Sequence, residues 1–93
     1  MVLVNWYRDG NDNIGFHADD EKQIKPDSEI ITISLGAERD FVIKNSKIKK
    51  SIIMEHNSFL TMGGKFQKEL KHSVPTRKNI TKERISITLR EFI

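Results

Sequence analysis

The apolar positions of this chain come in short bursts, and nearly every burst is closed by glycine, proline, asparagine or aspartate. Residues 1–7 are apolar and β-prone, and predict a strand. A turn follows at 8–13, carrying Asp-Gly-Asn-Asp-Asn. Residues 14–17 predict a short strand that leads into an acidic loop, and 21–29 are polar with a turn at Pro26-Asp27. Residues 30–37 (Ile-Ile-Thr-Ile-Ser-Leu-Gly-Ala) form the clearest strand pattern, followed by a second at 40–44 and a lysine-rich hairpin tip at 45–50. Two more strands are predicted at 51–55 and 58–62, with His56-Asn57 as the turn between them and Gly63-Gly64 as a break after them. Residues 65–71 have weak helical character but are short, so an irregular loop is expected there. Residues 72–75 predict a strand stopped by proline, 76–83 a basic loop, and 84–92 the last strand. About eight short strands with turn chemistry between them predict an all-β sandwich or jelly roll. There is no internal repeat, low-complexity tract or linker.

The last strand separates cleanly by the period of two. Arg84, Ser86, Thr88 and Arg90 share one face, and Ile85, Ile87 and Leu89 the other. Two orientations are open. In one, the polar face is solvated and the apolar face lies on the core. In the other, the polar face lines a cavity where two arginines and two hydroxyls meet an anion, because the planar guanidinium fork pairs both oxygens of a carboxylate.

Composition narrows the chemistry. A chain of 93 residues is expected to form one domain with a small core. With 37% hydrophobic and 31% charged residues it is expected to fold rather than remain disordered. No apolar run approaches the length of a membrane span, so no membrane partner is expected, and no secretory leader pattern opens the chain. The cytoplasm or nucleus is the expected compartment, and the acceptor pattern Asn79-Ile80-Thr81 is read as chance. With no cysteine, disulfides and thiolate metal sites are excluded, leaving His, Asp and Glu to hold any metal. The net charge of +3 permits a nucleic-acid partner without demanding one.

The stretch with the most chemistry is Gly15-Phe16-His17-Ala18-Asp19-Asp20-Glu21. A histidine and an aspartate two apart on near-extended backbone reach the same side. His72 is the candidate for a second histidine; His56 competes but reads as part of a turn. Two histidines and one carboxylate are the ligand set of a non-haem Fe(II) oxygenase. Taken singly, His17, Asp19 and His72 each read as ordinary surface or strand-end residues. The ordered combination, with arginines following on the final strand, is more specific.

Five runs in order, Asn5-Trp6-Tyr7-Arg8-Asp9-Gly10, His17-Ala18-Asp19-Asp20-Glu21, Ser34-Leu35-Gly36-Ala37-Glu38-Arg39-Asp40-Phe41, His72-Ser73-Val74-Pro75 and Arg84-Ile85-Ser86-Ile87-Thr88-Leu89-Arg90, resemble the AlkB family, most closely its DNA-repair branch. These are Fe(II)- and 2-oxoglutarate-dependent dioxygenases that dealkylate nucleic-acid bases. The resemblance implies a double-stranded β-helix (jelly roll) core over residues 1–93, without the N-terminal nucleotide-recognition segment of family members. It implies Fe(II) on His17, Asp19 and His72. It implies that Arg84 pairs the distal carboxylate of 2-oxoglutarate with help from Asn5 and Tyr7, and that Arg90 lies near the metal. Ser86 and Thr88 would line the site, Asp20 and Glu21 would contact the target base, and Arg39 would grip a phosphate. Trp6, where relatives often carry a basic residue, is expected in the core.

The reaction implied is oxidative removal of N-alkyl groups of the 1-methyladenine or 3-methylcytosine type, with release of aldehyde, succinate and carbon dioxide. Alkylated DNA or RNA would be the partner, and a monomer is expected. Such bases are cations, which Asp20 and Glu21 would favour over their neutral parents. Lys44, Lys47, Lys49 and Lys50, with Arg77, Lys78 and Lys82, would track phosphates. Two alternatives share the same residues: a dioxygenase of this fold acting on protein or small molecules, and an inactive nucleic-acid-binding fragment.

Overall fold

The computed structural model describes residues 2–19, 28–63 and 65–91. Eight strands and one helical turn follow in order: β1 (Val2–Tyr7), β2 (Ile14–His17), β3 (Ile30–Gly36), β4 (Arg39–Lys44), β5 (Lys49–Met54), β6 (Ser58–Met62), α1 (Phe66–Glu69), β7 (Lys71–Val74) and β8 (Arg84–Leu89). They build two four-stranded sheets, ordered β1-β8-β3-β6 and β2-β7-β4-β5, with every pairing antiparallel. The strand pattern of the sequence is present within a residue or two, except that the last strand, expected over 84–92, ends at Leu89. The segment expected as an irregular loop instead contains α1, whose one turn is closed by Glu69 N–H to the Lys65 carbonyl (3.0 Å) and Leu70 N–H to the Phe66 carbonyl (2.9 Å).

The first sheet reverses the usual placement of apolar and polar side chains. Register stacks Tyr7, Arg84 and Gly36 in one row, and Asn5, Ser86, Ser34 and Ser58 in the next. These rows face the second sheet, and Tyr7, Arg84, Ser86, Ser34, Thr88 and Thr32 are all buried. The alternate rows, Trp6–Ile85–Leu35, Val4–Ile87–Ile33–Phe59 and Val2–Leu89–Ile31–Thr61, form the outer face. The sequence's second orientation of the last strand is therefore the one adopted. Trp6 is not in the core: it is 60% exposed on this outer face, because the period of two sets it opposite to Asn5 and Tyr7.

The core is small. Tyr7, Ile30, Phe41, Met54, Met62 and Val74 form its buried cluster, with Ile14, Ile43, Leu60 and Phe66 packed against it. Among the described residues, buried polar and charged side chains outnumber buried apolar ones. Charged groups are almost never fully buried unless something pairs them, so this interior is built as a site.

Two glycines tie the turns. A Cβ on Gly10 would overlap the Arg77 carbonyl oxygen, and Gly10 and Arg77 exchange a hydrogen bond, Arg77 N–H to Gly10 O at 2.7 Å. This close approach docks the 8–13 turn onto the basic loop. Gly36 has φ +95° where β3 meets the start of β8, a conformation that disfavours side chains. Arg8 clamps the first turn through its backbone and side-chain hydrogen bonds to Asp12 (2.9–3.1 Å), which hold that carboxyl at about 2.

Candidate metal centre and anion pocket

His17 and His72 face each other across the β2–β7 pair. The pairing shifts register between Ile14, opposite Val74, and His17, opposite His72. Three steps along β2 thus match two along β7. A bulge of this kind re-aims a side chain. Without it, the alternation would turn His17 to the opposite face from Ile14. The imidazole rings lie 4.2 Å apart, and His72 sits between Phe41 (5.2 Å) and Phe66 (5.8 Å).

Asp19 lies two residues beyond the end of β2. Its two carboxylate oxygens face different histidines, Oδ1 at 3.9 Å from His17 Nε2 and Oδ2 at 3.5 Å from His72 Nε2. The three side chains can offer one ligand atom each, all within 4.8 Å of one another. His17 Nδ1 lies 2.8 Å from the Gly15 carbonyl, which can only accept. That fixes the tautomer and leaves the Nε2 lone pair free for a metal. His72 Nδ1 is buried with no partner among the described residues, and its Nε2 is the atom directed at Asp19. The donor set fits a divalent iron of the facial-triad type. The His17 side chain is 32% exposed while those of His72 and Asp19 are buried, so the centre opens on the His17 side.

Arg90 Nη2 donates to Asp19 Oδ1 at 2.9 Å. Burial pushes the Asp19 carboxyl up, but the hydrogen bond from His72 and the charges of Arg90, His72 and His17 outweigh it and hold it below its ordinary value. The carboxylate is therefore ionised and available as a ligand at neutral pH.

The same hollow, about 200 Å³, continues from the triad to Arg84, passing Asn5, Tyr7, Ser86 and Thr88. Arg84 is 2% exposed. Its Nη2 donates to Ser34 Oγ at 2.8 Å, and its Nε and Nη1 are buried with no hydrogen-bond partner among the described residues. The guanidinium lies 5.1 Å from the centre of the Tyr7 ring. Burial lowers its pKa, with the Tyr7 phenol acting in the opposite direction. Among the described residues no carboxylate pairs with it. A buried cation with unused donors is costly unless an anion meets it.

Arg39 lies inside, where the first turn meets the end of β7. It is 2% exposed and donates to three carbonyls, those of Asp9 (3.2 Å), Asp12 (2.8 Å) and Pro75 (2.8 Å). Nη1 and Nη2 thereby join the first turn to the residue after β7, while Nε has no partner among the described residues. Asp20 and Glu21 lie outside the described residues. His56, the competing ligand, accepts the Gly36 N–H through Nδ1 (2.9 Å) in the turn between β5 and β6 and is not part of the cluster.

One contributor was not legible in the sequence. Gln67, on α1, accepts the Asp19 backbone N–H through Oε1 at 2.7 Å. A lone glutamine in a short polar stretch carries no signal. Its spacing of five residues before His72 becomes meaningful only once α1 is known to fold over the centre.

A model of the 2OG-Fe(II) oxygenase superfamily matches residues 1–90. The DNA oxidative demethylase ALKBH2 of Mus musculus is 37% identical over an alignment covering all of this chain and 43% of that protein. The protein of the same name in Arabidopsis thaliana is 33% identical over 96% of this chain and 36% of its own length. The chain thus spans about two fifths of the length of these relatives. Hydroxypropylphosphonic acid epoxidase from S. wedmorenis superposes with a TM-score of 0.63 over 97% of this chain and 42% of its own, at 13% identity, which supports the jelly-roll fold. With the family match spanning nearly every residue, and relatives at this identity along its whole length, the chain belongs to the 2OG-Fe(II) oxygenases and, among them, to the AlkB family.

Proposed function

We propose that this chain is the catalytic core of an oxidative dealkylase of N-alkylated nucleic-acid bases. The observation that carries the reading is a single hollow with a His–Asp–His cluster at one end and, at the other, a buried guanidinium that no carboxylate pairs among the described residues. A dianionic cosubstrate with a chelating end and a distal carboxylate suits both ends. Relatives aligned over 96–100% of the chain are named DNA oxidative demethylases.

His17, Asp19 and His72 would hold Fe(II), and the bound iron with 2-oxoglutarate and dioxygen would supply the oxidising chemistry. The chain's own contribution is placement. Arg84 meets the distal carboxylate with the donors it has spare, Asn5 and Tyr7 flank it, and Ser86 and Thr88 line the passage. Arg90 holds the Asp19 carboxylate ionised and oriented. Hydroxylation of the N-alkyl carbon gives a hemiaminal, which collapses to aldehyde and the restored base. Asp20 and Glu21, which follow Asp19 directly in sequence, are the acids that would favour a cationic base.

The test is formaldehyde release from a single-stranded oligonucleotide carrying 1-methyladenine. Release is expected to require Fe(II), 2-oxoglutarate and an intact His17, with His17→Ala lowering it at least a hundredfold. Succinate formed equally well on a peptide panel but not on the oligonucleotide would overturn the choice of substrate.

The second sheet supports a nucleic-acid partner. Lys71, Lys44 and Lys49 stand directly opposite one another on β7, β4 and β5. Like charges so placed are destabilising. Lys44 Nζ also lies 3.8 Å from the centre of the Phe16 ring. Arg77, by contrast, is engaged in an ion pair with Asp40. If the row engages about three phosphates of a single strand, the plot of log affinity against log salt has a slope of roughly −2. Lys44→Gln with Lys49→Gln is expected to flatten it. A slope unchanged in that double variant would remove the lysine row from the interface.

A further inference from the structure

We propose that Gln67 is a positioning residue for the carboxylate ligand, fixing the main chain of Asp19 so that its side chain meets both histidines. The inference rests on the metal-centre reading above. His17 and His72 are set by strand pairing, each opposite the other in the β2–β7 ladder. Asp19 has no such support, since it lies beyond the end of β2. Among the described residues its backbone is tied instead by one long-range bond, the 2.7 Å contact from its N–H to Gln67 Oε1, across 48 residues of sequence.

Gln67 is itself anchored. Its Nε2 lies 3.6 Å from Met62 Sδ, and Met62 is buried in the core at the end of β6. The α1 turn fixes its backbone, with Leu70 N–H bonded to the Phe66 carbonyl at 2.9 Å. A chain of contacts therefore runs from the core through Met62 and Gln67 to Asp19. Only one orientation of the amide serves it, because the Asp19 N–H needs an acceptor and only Oε1 can accept. The neighbouring Phe66 packs against the His72 ring, so one helical turn braces two of the three ligands. Asp19 is held twice, its main chain by Gln67 and its carboxylate by Arg90. Arg90 alone would leave the backbone free to carry the carboxylate away from one histidine. Groups that orient metal ligands typically alter metal affinity ten- to a hundredfold when removed.

The test is Mn(II) titration followed by electron paramagnetic resonance, with no cosubstrate or turnover, on wild type, Gln67→Leu and Gln67→Glu. Leucine keeps the bulk and loses the acceptor, and is expected to weaken Mn(II) binding about tenfold. Glutamate keeps an acceptor at the same reach, and is expected to bind Mn(II) at least as tightly as wild type. In the metal-free proteins, exchange of the Asp19 amide hydrogen is expected to quicken in Gln67→Leu while the amides paired between β3 and β8 stay protected. Equal Mn(II) affinity in wild type and Gln67→Leu would overturn the proposal while leaving the metal centre intact. Loss of affinity in both variants alike would overturn it as well, since the acceptor would not be what matters. A wild type that does not bind Mn(II) would overturn the metal-centre reading, and the role of Gln67 toward it.

Discussion

Arg84→Met is expected to abolish 2-oxoglutarate binding and leave the ligand-free protein as stable as before, or more so. In the wild type, a cosubstrate at a hundred times its Kd adds about 2.7 kcal/mol, on the order of 10 °C in Tm for a domain of this size. Most of that shift should vanish in the variant, because the guanidinium with its unused Nε and Nη1 is the group at the far end of the hollow. Loss of a buried charged partner costs about 3–5 kcal/mol, or at least a hundredfold in Kd. The ligand-free protein behaves otherwise. Arg84 is a buried cation without a carboxylate among the described residues, and methionine fills a similar volume without that desolvation cost. The lost contacts to Ser34 and the Tyr7 ring are worth about 1 kcal/mol each. Thermal denaturation with and without 2-oxoglutarate and Mn(II) reads both effects. A Tm that drops by tens of degrees while the ligand shift persists would show that Arg84 is structural and not the anion's partner.

Asp19→Ala should behave in the opposite sense. It removes the shared ligand between the two histidines, so Mn(II) binding is expected to disappear. It also takes from the buried Arg90 its bond to the Asp19 carboxylate. Breaking a buried pair from one side costs about 3–5 kcal/mol, which lowers Tm by more than 10 °C in a domain this small. Metal-free wild type and Asp19→Ala should therefore differ in stability, unlike metal-free wild type and Arg84→Met. Equal Tm values for the first pair would mean that the Arg90–Asp19 bond contributes little. The contrast separates a cation already neutralised by the protein from one kept for a ligand.

These effects show how far the sequence could be read. The strands were legible because their alternation is strong and their turns are marked by Gly, Pro, Asn and Asp. The order of His17, Asp19 and His72 was legible because metal chemistry restricts residue types. The orientation of β8 was not, since periodicity separates two faces without saying which is inside. Nor was the placement of Trp6. Hydrophobicity argued for the core, but its phase relative to Asn5 and Tyr7 set it outside. The setting of Arg39 was not legible either: an arginine beside a strand start has the same letter whether it meets a phosphate or three carbonyls of its own chain. The bulge that re-aims His17 and the helical turn that carries Gln67 each depend on contacts far apart in sequence, which no local pattern encodes.

The outer face of the first sheet carries a consequence for any work in solution. Its rows hold Trp6, Val4, Val2, Leu89 and Phe59, the last 72% exposed, with no charged side chain among the paired positions. The second sheet carries the lysine row. Added electrolyte therefore acts on the two sheets in opposite directions. Any ion screens the lysines, but strongly hydrated anions such as sulfate also tighten contacts between apolar surfaces. A Hofmeister series at constant ionic strength should leave attraction at the lysine face unchanged while moving association through the Trp6 face, with the indole emission as its own indicator.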